Sequence, residues 1–163
     1  MNKLIGIFIL GVIIMAFSLG LFSGCDSNYV NQEGDFSLEI LVDKTAVHVG
    51  DTIKVTVKLQ NLSGKNVRIQ MRHPDFKKLE DMILIELFDE NEEHKFDVTS
   101  KGGPRKILTV KKDAVIAQTK DFQIESYGNY EVSSLVVFYV GKGYIELVSI
   151  TGETKKIVAS EIQ

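Results

Sequence analysis

The chain has 163 residues, enough for one domain and too few for a multidomain machine. Charged residues make up 25% and hydrophobic ones 44%, a globular balance rather than a disordered one. A net charge of −3 argues against a nucleic-acid-binding surface, which needs clustered positive charge, and a single cysteine excludes an intramolecular disulfide and four-cysteine zinc sites.

Lys3 precedes an uncharged run from Leu4 to Phe22, followed by Ser23-Gly24-Cys25. This has the n-region and h-region order of a secretory signal, and the run is also just long enough to span a bilayer. The position of Cys25, directly behind two small residues, resembles the lipobox of bacterial lipoproteins, with Phe22 where that family most often has Leu. The resemblance implies that residues 1–24 are a cleaved signal peptide and that Cys25 is lipidated and becomes the mature N-terminus. It also places the domain on the extracytoplasmic face of the cell membrane. A two-chain anchor on the sulfur holds a protein stably, since each buried CH₂ contributes about 0.8 kcal/mol. Removing residues 1–24 takes away Lys3 and no acid, moving the net charge from −3 to −4. A weakly acidic body is repelled by anionic headgroups, so the lipid is expected to do the holding.

Residues 25–35 are polar and aperiodic, and are expected to form a flexible tether from Cys25. The domain is expected over 36–163. Phe36, Leu38, Ile40 and Val42 alternate with polar positions. In Thr52–Asn61, Ile53, Val55, Val57 and Leu59 alternate with Lys54, Thr56, Lys58 and Gln60, the period of a half-buried strand. Val67, Ile69 and Met71 alternate after the turn-forming residues Asn61-Leu62-Ser63-Gly64-Lys65, which predicts a hairpin between the two runs. Residues 74–82 predict one or two helical turns or a loop, with Phe76, Leu79 and Ile83 on one side. Met82 to Phe88 is nearly all apolar. Short strands are expected at Lys106–Val110, Ala114–Gln118 and Asp121–Glu125. Tyr130 to Val140 is rich in β-formers, its Leu135–Val140 part reading as a central strand buried on both faces. A last hairpin is expected between Tyr144–Ile150 and 154–162 across Thr151-Gly152-Glu153. About nine short strands without a long helical pattern mean an all-β sandwich or barrel behind the N-terminal signal helix.

Two stretches resemble an immunoglobulin-like antiparallel β-sandwich. One is Val47-His48-Val49-Gly50-Asp51-Thr52-Ile53-Lys54-Val55-Thr56-Val57, similar to a run in many bacterial extracellular modules. The other is Tyr127-Gly128-Asn129-Tyr130, similar to a tyrosine corner. The second resemblance implies that the Tyr130 hydroxyl bonds back to nearby backbone, with Gly128 at the bend. Val132 stands where antibody domains carry a cysteine. The same stretches are similar to the Bacillus intracellular proteinase inhibitor family, which implies a second possible activity, the presentation of an inhibitory loop.

The histidines His48, His73 and His94 are isolated, and no HExxH, P-loop, nucleophile elbow or paired-carboxylate motif occurs. No catalytic residue, metal or cofactor is therefore assigned, and the chain is read as a non-catalytic binding module with an unidentified protein or cell-envelope partner. Met71 and His73, two apart, offer soft ligands for copper, and Asp89-Glu90-Asn91-Glu92-Glu93 offers oxygens for calcium without EF-hand spacing. Both read more simply as core and turn residues. The most distinctive loop contains Gly102, Gly103, Pro104, Arg105 and Lys106, a bend with clustered positive charge suited to an acidic partner or to a protease. Asn61-Leu62-Ser63 has the glycosylation sequon, which a bacterial lipoprotein would leave unused.

Overall fold

The computed structural model describes residues 29–71, 73, 75–90, 96 and 105–161. The signal segment 1–24, Cys25 and the loop residues Gly102, Gly103 and Pro104 lie outside them. In chain order the strands are β1 (Phe36–Val42), β2 (Ala46–His48), β3 (Thr52–Asn61), β4 (Val67–Met71), β5 (Ile83–Asp89), β6 (Lys106–Val110), β7 (Val115–Gln123), β8 (Gly128–Val140), β9 (Glu146–Thr151) and β10 (Lys155–Ser160). One 3₁₀ turn, Leu79–Met82, precedes β5. The fold is an all-β sandwich whose strands pair antiparallel except for β2, which runs parallel to β10. β1, β3 and β7 form a three-stranded sheet; the other seven strands form the second.

Alternation explains the core between the sheets. Ile53, Val55, Val57 and Leu59 of β3 are fully buried, and opposite them so are Val132, Val136, Phe138 and Val140 of β8. Burying each such side chain contributes roughly 1.5–3 kcal/mol. Leu135, Val137 and Tyr139 on the other face of β8 remain half-buried, so this strand is central but not buried on both faces.

The expected pairings differ from those observed. β3 and β4 are not a hairpin: β3 pairs with β1 and β7, while β4 pairs with β6 and β8. The chain crosses between sheets through residues 62–66, and the buried Asn61 side chain holds the crossing. Asn61 Nδ2 donates to the carbonyls of Lys65 (2.8 Å) and Lys111 (2.9 Å), and its Oδ1 accepts from Ser63 N (3.0 Å) and Ser63 Oγ (2.6 Å). A buried amide with both ends engaged is a structural group, and it is closed to glycosylation. The two short strands expected at 114–118 and 121–125 are one, β7, because it stays in register with β3 through Thr119, which shares a hydroxyl contact with Thr56 (3.0 Å).

The last hairpin is also absent. β9 and β10 both pair with β8, at residues 135–140 and 128–132. β5 occupies β8 from 130 to 136 and overlaps both, so β9 and β10 share the opposite edge. They form one strand with a bulge: from the Thr151↔Leu135 pair to the Lys155↔Val132 pair, β8 advances three residues and its partner four. One extra residue locally bends a strand without breaking it. A Cβ on Gly152 would lie 2.9 Å from the Ile40 side chain of the other sheet, so the bulge depends on glycine. The turn that makes the hairpin is at Gly141–Ile145, where Gly141, Gly143 and Tyr144 have positive φ.

At the start of β8, Tyr130 Oη donates to Ser126 O (2.8 Å) and lies 2.7 Å from Ser126 Oγ. Gly128, at φ 147°, supplies a backbone conformation that other residues resist. At the opposite end, residues 29–35 are not the end of a flexible tether. Tyr29 is only 4% exposed. Its ring packs edge-on against Phe36, which packs against Phe138, and its hydroxyl donates to Asp35 Oδ2 (2.6 Å). Burial, followed by the hydrogen bond to Asp35 and the charges of Asp35 and Glu146, raises the phenol's pKa and keeps it protonated. An aromatic ring in a polar stretch was the reason for docking.

Replacing Asn61 by Ala removes the donor to the partly buried carbonyls of Lys65 and Lys111 and is expected to cost about 1–3 kcal/mol. Gly152→Val forces the bulge against Ile40 and is expected to cost about 1–3 kcal/mol. Urea unfolding midpoints measure both.

Candidate functional site

β4 and β5 lie on the same edge of β8, as β9 and β10 do on the other. Gln70 is opposite Tyr139 and Ile83 opposite Val136, so three steps of β8 correspond to thirteen of its partner. Residues 72–82 are therefore an insertion within one sheet strand, and they leave the sheet beside the first residue of β6. Lys106 pairs with Met71, the last residue of β4.

Internal contacts hold the insertion in place. His73 stacks on Phe76, with centroids 4.4 Å apart, and its Nδ1 accepts from Asp75 N (3.3 Å). Met82 is fully buried, and Phe76 and Leu79 pack against the core. Asp81 Oδ2 accepts from the backbone N–H groups of Lys77 (2.7 Å) and Lys78 (2.9 Å). Burial would raise the Asp81 pKa, but those two hydrogen bonds and the charges of Lys78 and Lys106 outweigh it and hold the pKa below its ordinary value.

With the backbone pinned inward, the cationic side chains point out. Lys77, Lys78, Arg105 and Lys106 are all exposed, and Lys106 Nζ donates to Lys77 O. Arg105 and Lys106 were singled out in the sequence as part of a loop. The structure brings Lys106 to the Lys77-Lys78 pair, which lies in a separate stretch of the sequence. Asp81 sits among these cations with its carboxylate turned to the backbone. Such a flank suits an acidic macromolecular surface, and its attraction is screened within about 8 Å at physiological salt.

The other candidates separate. Met71 and His73 do not form a copper site: Met71 is 1% exposed within the core, and His73 Nδ1 is engaged by Asp75. Of the acidic turn, Asp89 ends β5 and Glu90 Oε1 accepts from Asn129 Nδ2 (3.0 Å); residues 91–93 lie outside the described residues. Among the described residues no group of three or more His, Cys, Asp or Glu side chains is placed to hold a metal ion, and no helix is long and apolar enough to cross a membrane. An open groove of about 690 Å³ runs between residues 31–34 and β9, lined by Phe36, Val148 and Ile150.

No protein-family profile matches the chain, and no curated protein does. Solved structures superpose on it only partly and at low identity. The CARDB domain of the PF1109 protein from Pyrococcus furiosus, in complex with di-metal ions, superposes with a TM-score of 0.42 at 10% identity, over 82% of this chain and 100% of that one. Spo0M, a sporulation control protein from Bacillus subtilis, gives 0.42 at 13% identity over 80% of this chain and 51% of its own, so the chain spans about half of it. A β-glucosidase from Listeria innocua gives 0.36 at 10% identity, over 77% of this chain and 17% of that one.

Because Asp81 has a lowered pKa in the folded state, its contribution is complete at neutral pH and is lost as the pH falls below its ordinary value of 3.8. Asp81→Asn is expected to be less stable than the wild type at pH 7, with the difference shrinking at pH 3. Urea unfolding at the two pH values measures this.

Proposed function

We propose that the chain is an extracytoplasmic lipoprotein, anchored through Cys25, whose immunoglobulin-like sandwich binds an acidic macromolecule of the cell envelope and catalyses nothing. The observation that carries the binding part is the meeting of Lys77 and Lys78 with Lys106 around Asp81, with Arg105 next in the chain. These cations come from two stretches far apart in sequence, and they are displayed by a loop whose own contacts fix its backbone. A rigid cationic flank docks a partner at lower entropic cost than a floppy one. The anchoring part is supported by the lipobox-like Ser23-Gly24-Cys25 behind its apolar run.

Growth with an alkyne-tagged palmitate is expected to label the wild-type chain and not Cys25→Ala; an unlabelled wild type would refute the anchor. Cross-linking on intact cells is expected to capture an acidic partner, and Lys77→Glu with Arg105→Glu is expected to lower that capture about tenfold. Equal capture by the double variant would remove the flank as the binding site.

A further inference from the structure

The placement of Tyr29 limits how far the domain can stand from its anchor. Tyr29 is packed in the core, and only residues 26–28 separate it from Cys25. Four residue steps reach at most about 14 Å even when fully extended. If Cys25 is lipidated, as proposed above, the end of the sandwich where Tyr29 enters is held against the bilayer surface.

Three loops meet at that end: 62–66, 111–114 and 141–145. Asn61 Nδ2 bonds the carbonyls of Lys65 and Lys111, Lys112 N donates to Asn66 Oδ1 (2.8 Å), and Leu62 N donates to Asp35 O (2.7 Å). A Cβ on Gly141 would lie 3.5 Å from Tyr29 O, which places the third loop beside the entering chain. Large apolar side chains stand out from this end: Ile145 is 82% exposed, Val30 67% and Leu62 49%. The three loops carry Lys65, Lys111, Lys112 and Lys142 against one acid, Asp113, a charge of +3 on a chain of −3. Glu33, Asp35 and Glu146 belong to the same end, with Glu146 beside Gly141 of the third loop, and the Asp35 carboxylate is turned inward onto Tyr29 Oη and Gln32 N. The far end is acidic, with Asp51, Glu125 and Glu161 on or beside its loops.

We propose that this end is a membrane-docking face for an anionic lipid surface. Ile145, Leu62 and Val30 enter the headgroup boundary, and Lys111, Lys112 and Lys142 lie over the lipid phosphates. Apolar insertion combined with basic residues is the pairing by which soluble surfaces hold anionic bilayers. The domain is then oriented, with the end bearing Tyr127 and Glu125 pointing away from the membrane.

The test uses the full lipidated protein reconstituted into vesicles containing phosphatidylglycerol. An environment-sensitive dye is placed through Ile145→Cys or, at the far end, Tyr127→Cys; the lipidated Cys25 does not react. The expected result is co-flotation with the vesicles and a blue-shifted emission at position 145 only. Combining Ile145→Cys with Lys111→Gln, Lys112→Gln and Lys142→Gln should weaken the docked state about 100-fold and restore the aqueous emission, while the protein still floats. Equal emission at the two positions in floated protein overturns the docking face and leaves the anchor standing. Failure to float overturns both. A blue shift at 145 that persists on neutral phosphatidylcholine and grows with protein concentration means that a second copy covers the face, and overturns the proposal.

Discussion

A β-strand has two edges, and in this domain one strand serves four others across them. β8 is 13 residues long. Along one edge it carries β4 and then β5; along the other, β9 and then β10. Neither partner is a single regular strand: one is interrupted by the insertion between β4 and β5, and the other is bent by a one-residue bulge. The two solutions have different physical causes. The insertion leaves room for a loop that packs its own Met82 and Phe76 onto the core, whereas the bulge requires a glycine where it touches Ile40. Tyr130 fixes the beginning of β8 through Ser126, and the Tyr29–Phe36–Phe138 ring series packs at the end where the chain enters.

Both proposed surfaces follow from this arrangement. The insertion emerges beside β6, and Lys77 and Lys78 therefore meet Lys106. Tyr29 is captured next to the turn that ends β8, so the chain's entry point lies among the three loops at that end. The net charge of −3 is an average over a molecule whose charge is unevenly spread: Lys77, Lys78, Arg105 and Lys106 lie on one flank beside Asp75, Glu80 and Asp81, the loop tips near the entering chain are basic, and the far end is acidic. Repulsion from anionic lipid, inferred from the average, does not describe the end proposed to dock on lipid. Electrostatic attraction acts over about a Debye length, so the charge within that distance of a surface matters more than the total.

The strands themselves were legible. Alternation between side chains i and i+2 is a local property of a pleated backbone, and it located β1, β3, β4 and β6 closely. The residues of the flank were visible as basic pairs, but not as one surface. The pairing of strands was not legible. Two alternating runs joined by Ser63-Gly64 read as a hairpin whether the connection turns back within a sheet or crosses to the other, and here the buried Asn61 amide made the crossing. Thr151-Gly152-Glu153 reads as a turn for the same reason, since glycine serves both turns and bulges.

The sequence by itself determined the strand content, the two-faced patterning that calls for a sandwich or barrel, and a lone cysteine in a lipobox-like setting. These are signals carried by neighbouring residues. Only the tertiary structure decided which strands share an edge, that Tyr29 belongs to the core rather than to a tether, and which lysines lie together. Those outcomes depend on contacts between residues distant in the chain, where burial of an aromatic ring and the satisfaction of an amide outweigh what a polar local context implies.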